Sequence, residues 1–130
     1  MLKGYPMVKR VLIIDDEPGI RKIVQISLKA IAGWEVLQAA SGQEGIAIAQ
    51  TQHPDAILLD VMMPGLDGIA TFQQIHTNLA LQNIPVILLT AKAQPNEQQQ
   101  FAELQIAGII TKPFKAPDLV HQLRQILEWD

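Results

Sequence analysis

The 130-residue chain contains no cysteine, so disulfide frameworks and thiolate metal sites are excluded and the redox compartment stays open. It also lacks an excess of base. Ten Lys and Arg residues stand against 13 Asp and Glu, a formal charge of -3. That balance repels phosphate backbones in general and argues against nucleic acid as a direct partner, a local basic patch aside. No apolar run approaches the roughly 20 residues that cross a bilayer, and "MLKGYPMVKR" at the N-terminus has no apolar centre of the kind a secretion signal carries. No membrane partner is expected, and a cytoplasmic location is the default. Linkers, repeats and low-complexity segments are missing too, although "QPNEQQQ" (94–100) is strongly polar. At 48% hydrophobic residues the chain is long enough for one domain with a real core and too short for two.

What is present alternates between two periods. "RVLII" (10–14) is a short β-branched run, followed by Ile20, Ile23, Val24, Leu28 and Ile31 at the spacing of one helix face. "WEVLQAA" (34–40) predicts a second strand, and Ser41 with Glu44 forms a capping-box pattern that opens a second helix. "DAILLD" (55–60) predicts a third strand, apolar throughout its middle as expected when both faces are covered. Beyond the turn-rich "VMMPGLDG", Ile69, Phe72 and Ile75 share a helical stripe. "IPVILLT" (84–90) predicts the fourth strand, and a Gln-rich helix follows around 96–105 with Phe101, Ala102 and Leu104 as anchors. "AGIIT" (107–111) is a short fifth strand, and Leu119, Val120, Leu123, Ile126 and Leu127 define a last amphipathic helix. Five strand–helix pairs with short connections imply an α/β doubly wound sandwich, with a parallel sheet and right-handed crossovers that put helices on both faces.

Ligands of such sheets bind beyond the carboxyl ends of the strands, where the strand order reverses. The residues predicted there are Asp15 and Asp16 after the first strand, Asp60 at the end of the third, Thr90 and Ala91 at the fourth, and Thr111, Lys112 and Pro113 at the fifth. Adjacent carboxylates repel, and burying one without a partner is costly, so a positive partner is expected. Carboxylates from separate strands make an all-oxygen site for a hard divalent ion, and Mg²⁺ typically takes one or two carboxylates and engages a phosphate. A carboxylate beside Mg²⁺, an amine and a hydroxyl is equipped to attack phosphorus, and Asp60, alone at its strand end, is the natural nucleophile.

"IIDDEP", "AILLDVMMPGLDG", "VILLTA" and "TKPF" occur in this order, and the chain thereby resembles the response-regulator receiver family of two-component signalling, the CheY-like proteins, over nearly its whole length. The resemblance implies a (βα)5 sandwich with strand order 2-1-3-4-5. It implies that Asp60 accepts a phosphoryl group from a histidine kinase or histidine phosphotransfer protein. Asp16, Asp60 and the backbone carbonyl of Met62 would ligate Mg²⁺ directly, with Asp15 acting mainly through water. Lys112 would pair with the phosphoryl oxygens, and the Thr90 hydroxyl and the Ala91 backbone amide would move onto the phosphate once present. The Lys112–Pro113 bond resembles one that the family holds in cis. Met62 and Lys92 match positions that govern water access to the aspartyl phosphate. There is one departure: many members carry an aromatic three residues before the lysine, where this chain has Ile109, so an aromatic switch is not expected. The resulting expectation is an N-terminal tail (1–8) and a single receiver domain (9–130) without an output domain. Such a protein would be a phosphoacceptor switch, not an enzyme with a diffusible substrate, and it would signal through an unidentified downstream protein.

Plainer readings stand beside several of these residues. Glu17 is expected to stabilise the N-terminus of the first helix. Pro64, Gly65, Asp67 and Gly68 are turn and cap residues first. The Met62 and Met63 side chains are read as packing, Trp34 and Trp129 as anchors, and His53, His76 and His121 as scattered surface residues. A hydrolytic phosphatase of the related type would carry an acid two residues after the nucleophile, where Met62 stands. A flavin-binding domain would need a Ser/Thr/Gly-rich phosphate loop after the first strand, and "DDEPGI" would repel the phosphate. The remaining alternative, a phosphate-independent receiver-like interaction module, predicts missing acids or a missing lysine.

Overall fold

Arg10–Ile14 forms β1, Glu35–Ala39 β2, Ala56–Asp60 β3, Val86–Thr90 β4 and Gly108–Thr111 β5 in a computed structural model of the chain, which describes residues 8–63, 67–91, 99, 101 and 103–129. All four strand pairings are parallel, and the order is β2-β1-β3-β4-β5. The described helices are α1 (Pro18–Ser27), α2 (Gly42–Gln52), α3 (Gly68–Thr77) and α4 (Ala116–Leu127). Of the helix expected around 96–105, residues 96–98, 100 and 102 lie outside the described residues; 99 and 101 are helical, 103–105 are turn and irregular backbone, and Phe101 and Leu104 pack on the α2/α3 core as expected.

Side chains alternate along each strand, and that period sorts them between two cores. Leu12, Ile14, Ile57, Leu59, Val86 and Leu88 pack with Ala49 of α2 and Phe72 and Ile75 of α3. Val11, Ile13, Leu58, Ile87, Leu89 and Ile110 pack on the opposite face with Val24 of α1 and Leu119, Val120 and Leu123 of α4. Strands β3 and β4 are buried at every position, whereas β2 and β5, at the sheet edges, are partly open. Ile109 on β5 is half-buried and packs against the α2/α3 core.

Local chemistry sets the helix ends. Ser41 Oγ accepts from the Glu44 amide at 3.1 Å, and Glu44 Oε1 accepts from the Ala40 amide at 3.2 Å. This is the expected capping box, with the return bond reaching one residue further back than Ser41. Asp67 caps α3 through an Oδ1 that accepts from the Ala70 amide at 2.8 Å. Helix α1 continues into a π-helical turn, Leu28–Ala32, that Gly33 ends with φ of 73°. That turn corrects the expected helix face. Val24 and Leu28 are buried, but Ile23 and Ile31 are 48% and 43% exposed. Ile23 lies one residue off the buried stripe, and Ile31 falls in the widened turn, where a 3.6-residue period no longer holds.

Trp34, at the opposite end of the sheet from the acids, is buried and meets Trp129 edge-on with ring centroids 5.1 Å apart. The two are anchors, as expected, tying β2 to the segment after α4. His53 and His121 are exposed, while His76 is half-buried and stacks on Phe72 at 5.5 Å.

Candidate functional site

Parallel register brings the strand ends level. Ile14 pairs with Leu59, so Asp15 follows β1 at the height of Asp60, the last residue of β3. Asp60 in turn pairs with Leu89, and Thr90 pairs with Thr111, which places Thr90 and Lys112 at the same edge. The Lys112 amide donates to the Thr90 carbonyl at 2.8 Å, and the Lys112–Pro113 peptide is cis, as the resemblance implied.

Asp15 is fully buried and Asp60 nearly so, while Asp16 is exposed. Lys112 Nζ donates to Asp15 Oδ2 at 2.8 Å and lies 3.3 Å from Asp60 Oδ1. Asp15 Oδ1 accepts from the Glu17 amide at 2.9 Å, so both of its carboxylate oxygens are engaged by protein donors. Asp60 Oδ1 accepts from the Met62 amide at 3.3 Å. One ligand atom from each of Asp15, Asp16 and Asp60 lies within 4.8 Å of the others. Asp15 and Asp60 therefore share the Lys112 ammonium while Asp16 joins them in the cluster, and this set of hard oxygen donors fits a divalent cation such as Mg²⁺.

The electrostatics follow from this crowding. Burial, and next the charge of Asp15, push the Asp60 carboxyl above its usual range, against the opposing pull of Lys112. Burial alone would lower Lys112. Its hydrogen bond to Asp15, with the charges of Asp15 and Asp60, outweighs that effect and holds the ammonium above the ordinary lysine value.

Thr90 is buried at the end of β4, and Ala91 is exposed beside it. Met63 is buried, as expected of a packing residue, but the Met62 side chain is 76% exposed, contrary to that reading. It stands with Val61, Met63, Asp67 and Ile69 around a shallow cavity of 530 Å³ on the β3 side of the site. Glu17 occupies the N-cap position of α1 without a side-chain cap bond. Any stabilisation it gives that helix end is through charge. Pro64, Gly65 and Lys92 lie outside the described residues.

Two contributors were not legible in the sequence. Arg21 Nη1 donates to the Asp15 backbone carbonyl at 2.8 Å, whereas an arginine in a first helical turn reads as a solvated charge. Gly68, read as a cap or turn residue, is placed by close approach: a Cβ there would stand 2.6 Å from the Val61 Cα and collide with the Asp60 carbonyl. Its amide donates to the Val61 carbonyl at 3.2 Å, so α3 begins directly on the backbone that carries Asp60. The glycine after a helix-capping Asp was the available signal.

A family model described as the response regulator receiver domain matches residues 11–124. The chain is 38% identical over 119 residues to the phosphate regulon transcriptional regulatory protein PhoB of Pseudomonas aeruginosa, covering 92% of this chain and 52% of that protein. It is 37% identical over 118 residues to the DNA-binding dual master transcriptional regulator RpaA of Synechocystis, covering 91% and 48%. The chain thus spans about half the length of these curated relatives. Among solved structures, the chemotaxis protein CheY4 of Vibrio cholerae superposes with a TM-score of 0.86 at 31% identity, covering 92% of this chain and 99% of that one. The receiver domain of a sensor histidine kinase from Pseudomonas aeruginosa, with a magnesium ion coordinated in its active site cleft, gives 0.83 at 26% identity, covering 94% and 99%.

Proposed function

Because the chain belongs to the response regulator receiver domain family of two-component signalling, we propose that it takes a phosphoryl group onto Asp60 from a phosphohistidine of a histidine kinase or histidine phosphotransfer protein. The observation that carries this reading is the meeting of Asp15, Asp16, Asp60 and Lys112 at one sheet edge. A carboxylate oxygen of Asp60 forms the new bond to phosphorus while the phosphorus–nitrogen bond breaks, and the bonding pair stays on the imidazole nitrogen. Lys112, already within 3.3 Å of Asp60 Oδ1, steadies the incoming phosphoryl oxygens. The Thr90 hydroxyl and the Ala91 amide, at the neighbouring strand end, close on the phosphoryl group afterwards.

Asp16, Asp60 and the Met62 backbone carbonyl would hold Mg²⁺, which supplies neutralisation of the phosphoryl charge when bound. Asp15 would contribute to that site through water, a reading supported by the engagement of both its carboxylate oxygens by the Glu17 amide and Lys112. The protein acts as a switch that catalyses only its own phosphorylation and dephosphorylation. In this reading these 130 residues signal through contact with protein, which their excess of acid over base supports, whereas the curated relatives, about twice as long, are transcriptional regulators. A cytoplasmic setting suits this role; no described helix is long and apolar enough to cross a membrane.

Acetyl phosphate with Mg²⁺ tests the chemistry, read as intact mass for wild type and Asp60→Ala. One base-labile phosphoryl adduct that is lost in the variant is expected. An adduct that survives the substitution overturns the assignment of Asp60, and a folded wild type that gains none favours a phosphate-independent interaction module.

A further inference from the structure

We infer that Arg21 is a positioning residue for the metal site, acting through the peptide that joins Asp15 to Asp16; the inference rests on the reading above. Arg21 Nη1 donates at 2.8 Å to the carbonyl of that peptide. A peptide unit is planar, so holding its carbonyl also fixes the direction of the Asp16 N–H and the plane from which the Asp16 side chain departs. The preceding bonds are already held. The Asp15 amide donates to the Ala39 carbonyl at 3.1 Å, and the Asp15 carboxylate is bound by the Glu17 amide and Lys112 Nζ. Asp16 is exposed and follows the end of β1, so the sheet does not orient it. Arg21 is the side chain seen to anchor its peptide among the described residues, and the Arg21 amide, bonded to the Glu17 carbonyl at 3.2 Å, ties that anchor to the first turn of α1.

The role has a distinctive sign. A guanidinium stays protonated at every working pH, and as a bare charge held on the Asp15 carbonyl it would repel a divalent cation bound by the adjoining carboxylates. Deleting the charge alone would tighten Mg²⁺ binding. Deleting the anchor loosens Asp16 and weakens it, by roughly tenfold if Arg21 behaves as outer-shell partners of metal ligands commonly do.

The experiment is calorimetric titration of MgCl₂ into the full chain for wild type, Arg21→Ala, Arg21→Gln and Arg21→Lys, with urea denaturation in EDTA as the check on folding. The expected result is a raised Kd for Mg²⁺ in Arg21→Ala and partial recovery in Arg21→Lys, with the urea midpoints close to wild type. Arg21→Gln, whose amide nitrogen stops two bonds short of the Nη1 position that reaches the carbonyl, should bind Mg²⁺ about as weakly as Arg21→Ala. An unchanged or lowered Kd in folded Arg21→Ala overturns the inference and leaves the proposed phosphoacceptor chemistry standing. Should Arg21→Ala fail to fold, equal affinities in Arg21→Lys, Arg21→Gln and wild type overturn it in the same way. A wild type that binds no Mg²⁺ overturns the metal reading and this inference together.

Discussion

Lys112 Nζ sits 2.8 Å from Asp15 Oδ2 although 97 positions separate the two residues in the chain. Asp15 is fully buried and the lysine side chain is 14% exposed, so the contact is an interior charge pair and not a surface ornament. Its value lies less in net attraction than in preventing an uncompensated buried charge.

Replacing Lys112 with methionine should therefore destabilise the Mg²⁺-free protein by roughly 3 kcal/mol, as measured by urea denaturation at neutral pH. Adding Asp15→Asn should recover much of that loss, because the more deeply buried of the two stranded carboxylates is gone and Asp60 no longer faces its charge. A Lys112→Met variant as stable as wild type would contradict the pairing.

Asp60 makes the opposite kind of prediction. Burial and the neighbouring Asp15 hold its native carboxyl above the unfolded value. The native state thus binds the proton more tightly than the unfolded chain, and the associated stability is present at low pH and lost as pH rises through the native pKa. At neutral pH the ionised group is a cost. Asp60→Asn should raise Tm in EDTA at neutral pH, and the gain should fade on acidification below the ordinary carboxylate range. A constant difference across that range would refute the assignment.

Mg²⁺ should offset the same cost. At a hundredfold excess over Kd, a ligand bound only by the native state adds about 2.7 kcal/mol. Wild type should show such a gain in thermal or chemical denaturation, and Asp16→Asn should show much less of it. An equal Mg²⁺ gain in Asp16→Asn would remove that residue from the ligand set.

The glycines offer a contrast that tests packing alone. Gly68→Ala drives a methyl into the Asp60–Val61 backbone and should cost about 1–3 kcal/mol while displacing Asp60. Gly19→Ala meets open space in α1 and should stabilise by about 0.5–1 kcal/mol. Equilibrium denaturation of the two variants side by side separates these signs, and acetyl phosphate labelling should slow only in Gly68→Ala.

The strands were legible because β-branched and apolar runs, bounded by turn residues, carry a strong local signal; β1 begins and ends at the expected residues. The site was legible for a related reason, since each chemical residue stands at a strand's carboxyl end and the topology brings those ends together. The exposure of Ile23 and Ile31 was not, because the π-helical turn after α1 changes the period on which the reading relied. Nor was the exposure of Met62, a residue whose apolar side chain gives no sign that the loop would turn it outward. Arg21 escaped notice for a third reason: its partner is a main-chain carbonyl, which no side-chain pattern advertises.

The edge position of β5 bears on how the molecule comes into being. Translation releases Asp15, Asp16 and Asp60 well before Lys112, and the strand leading to that lysine has a berth only after β4 has joined the sheet. A nascent receiver therefore carries its acids through synthesis without their counter-charge. The charge pair at the sheet edge is therefore completed only when β5 takes its place, and until then the three carboxylates rely on solvent cations.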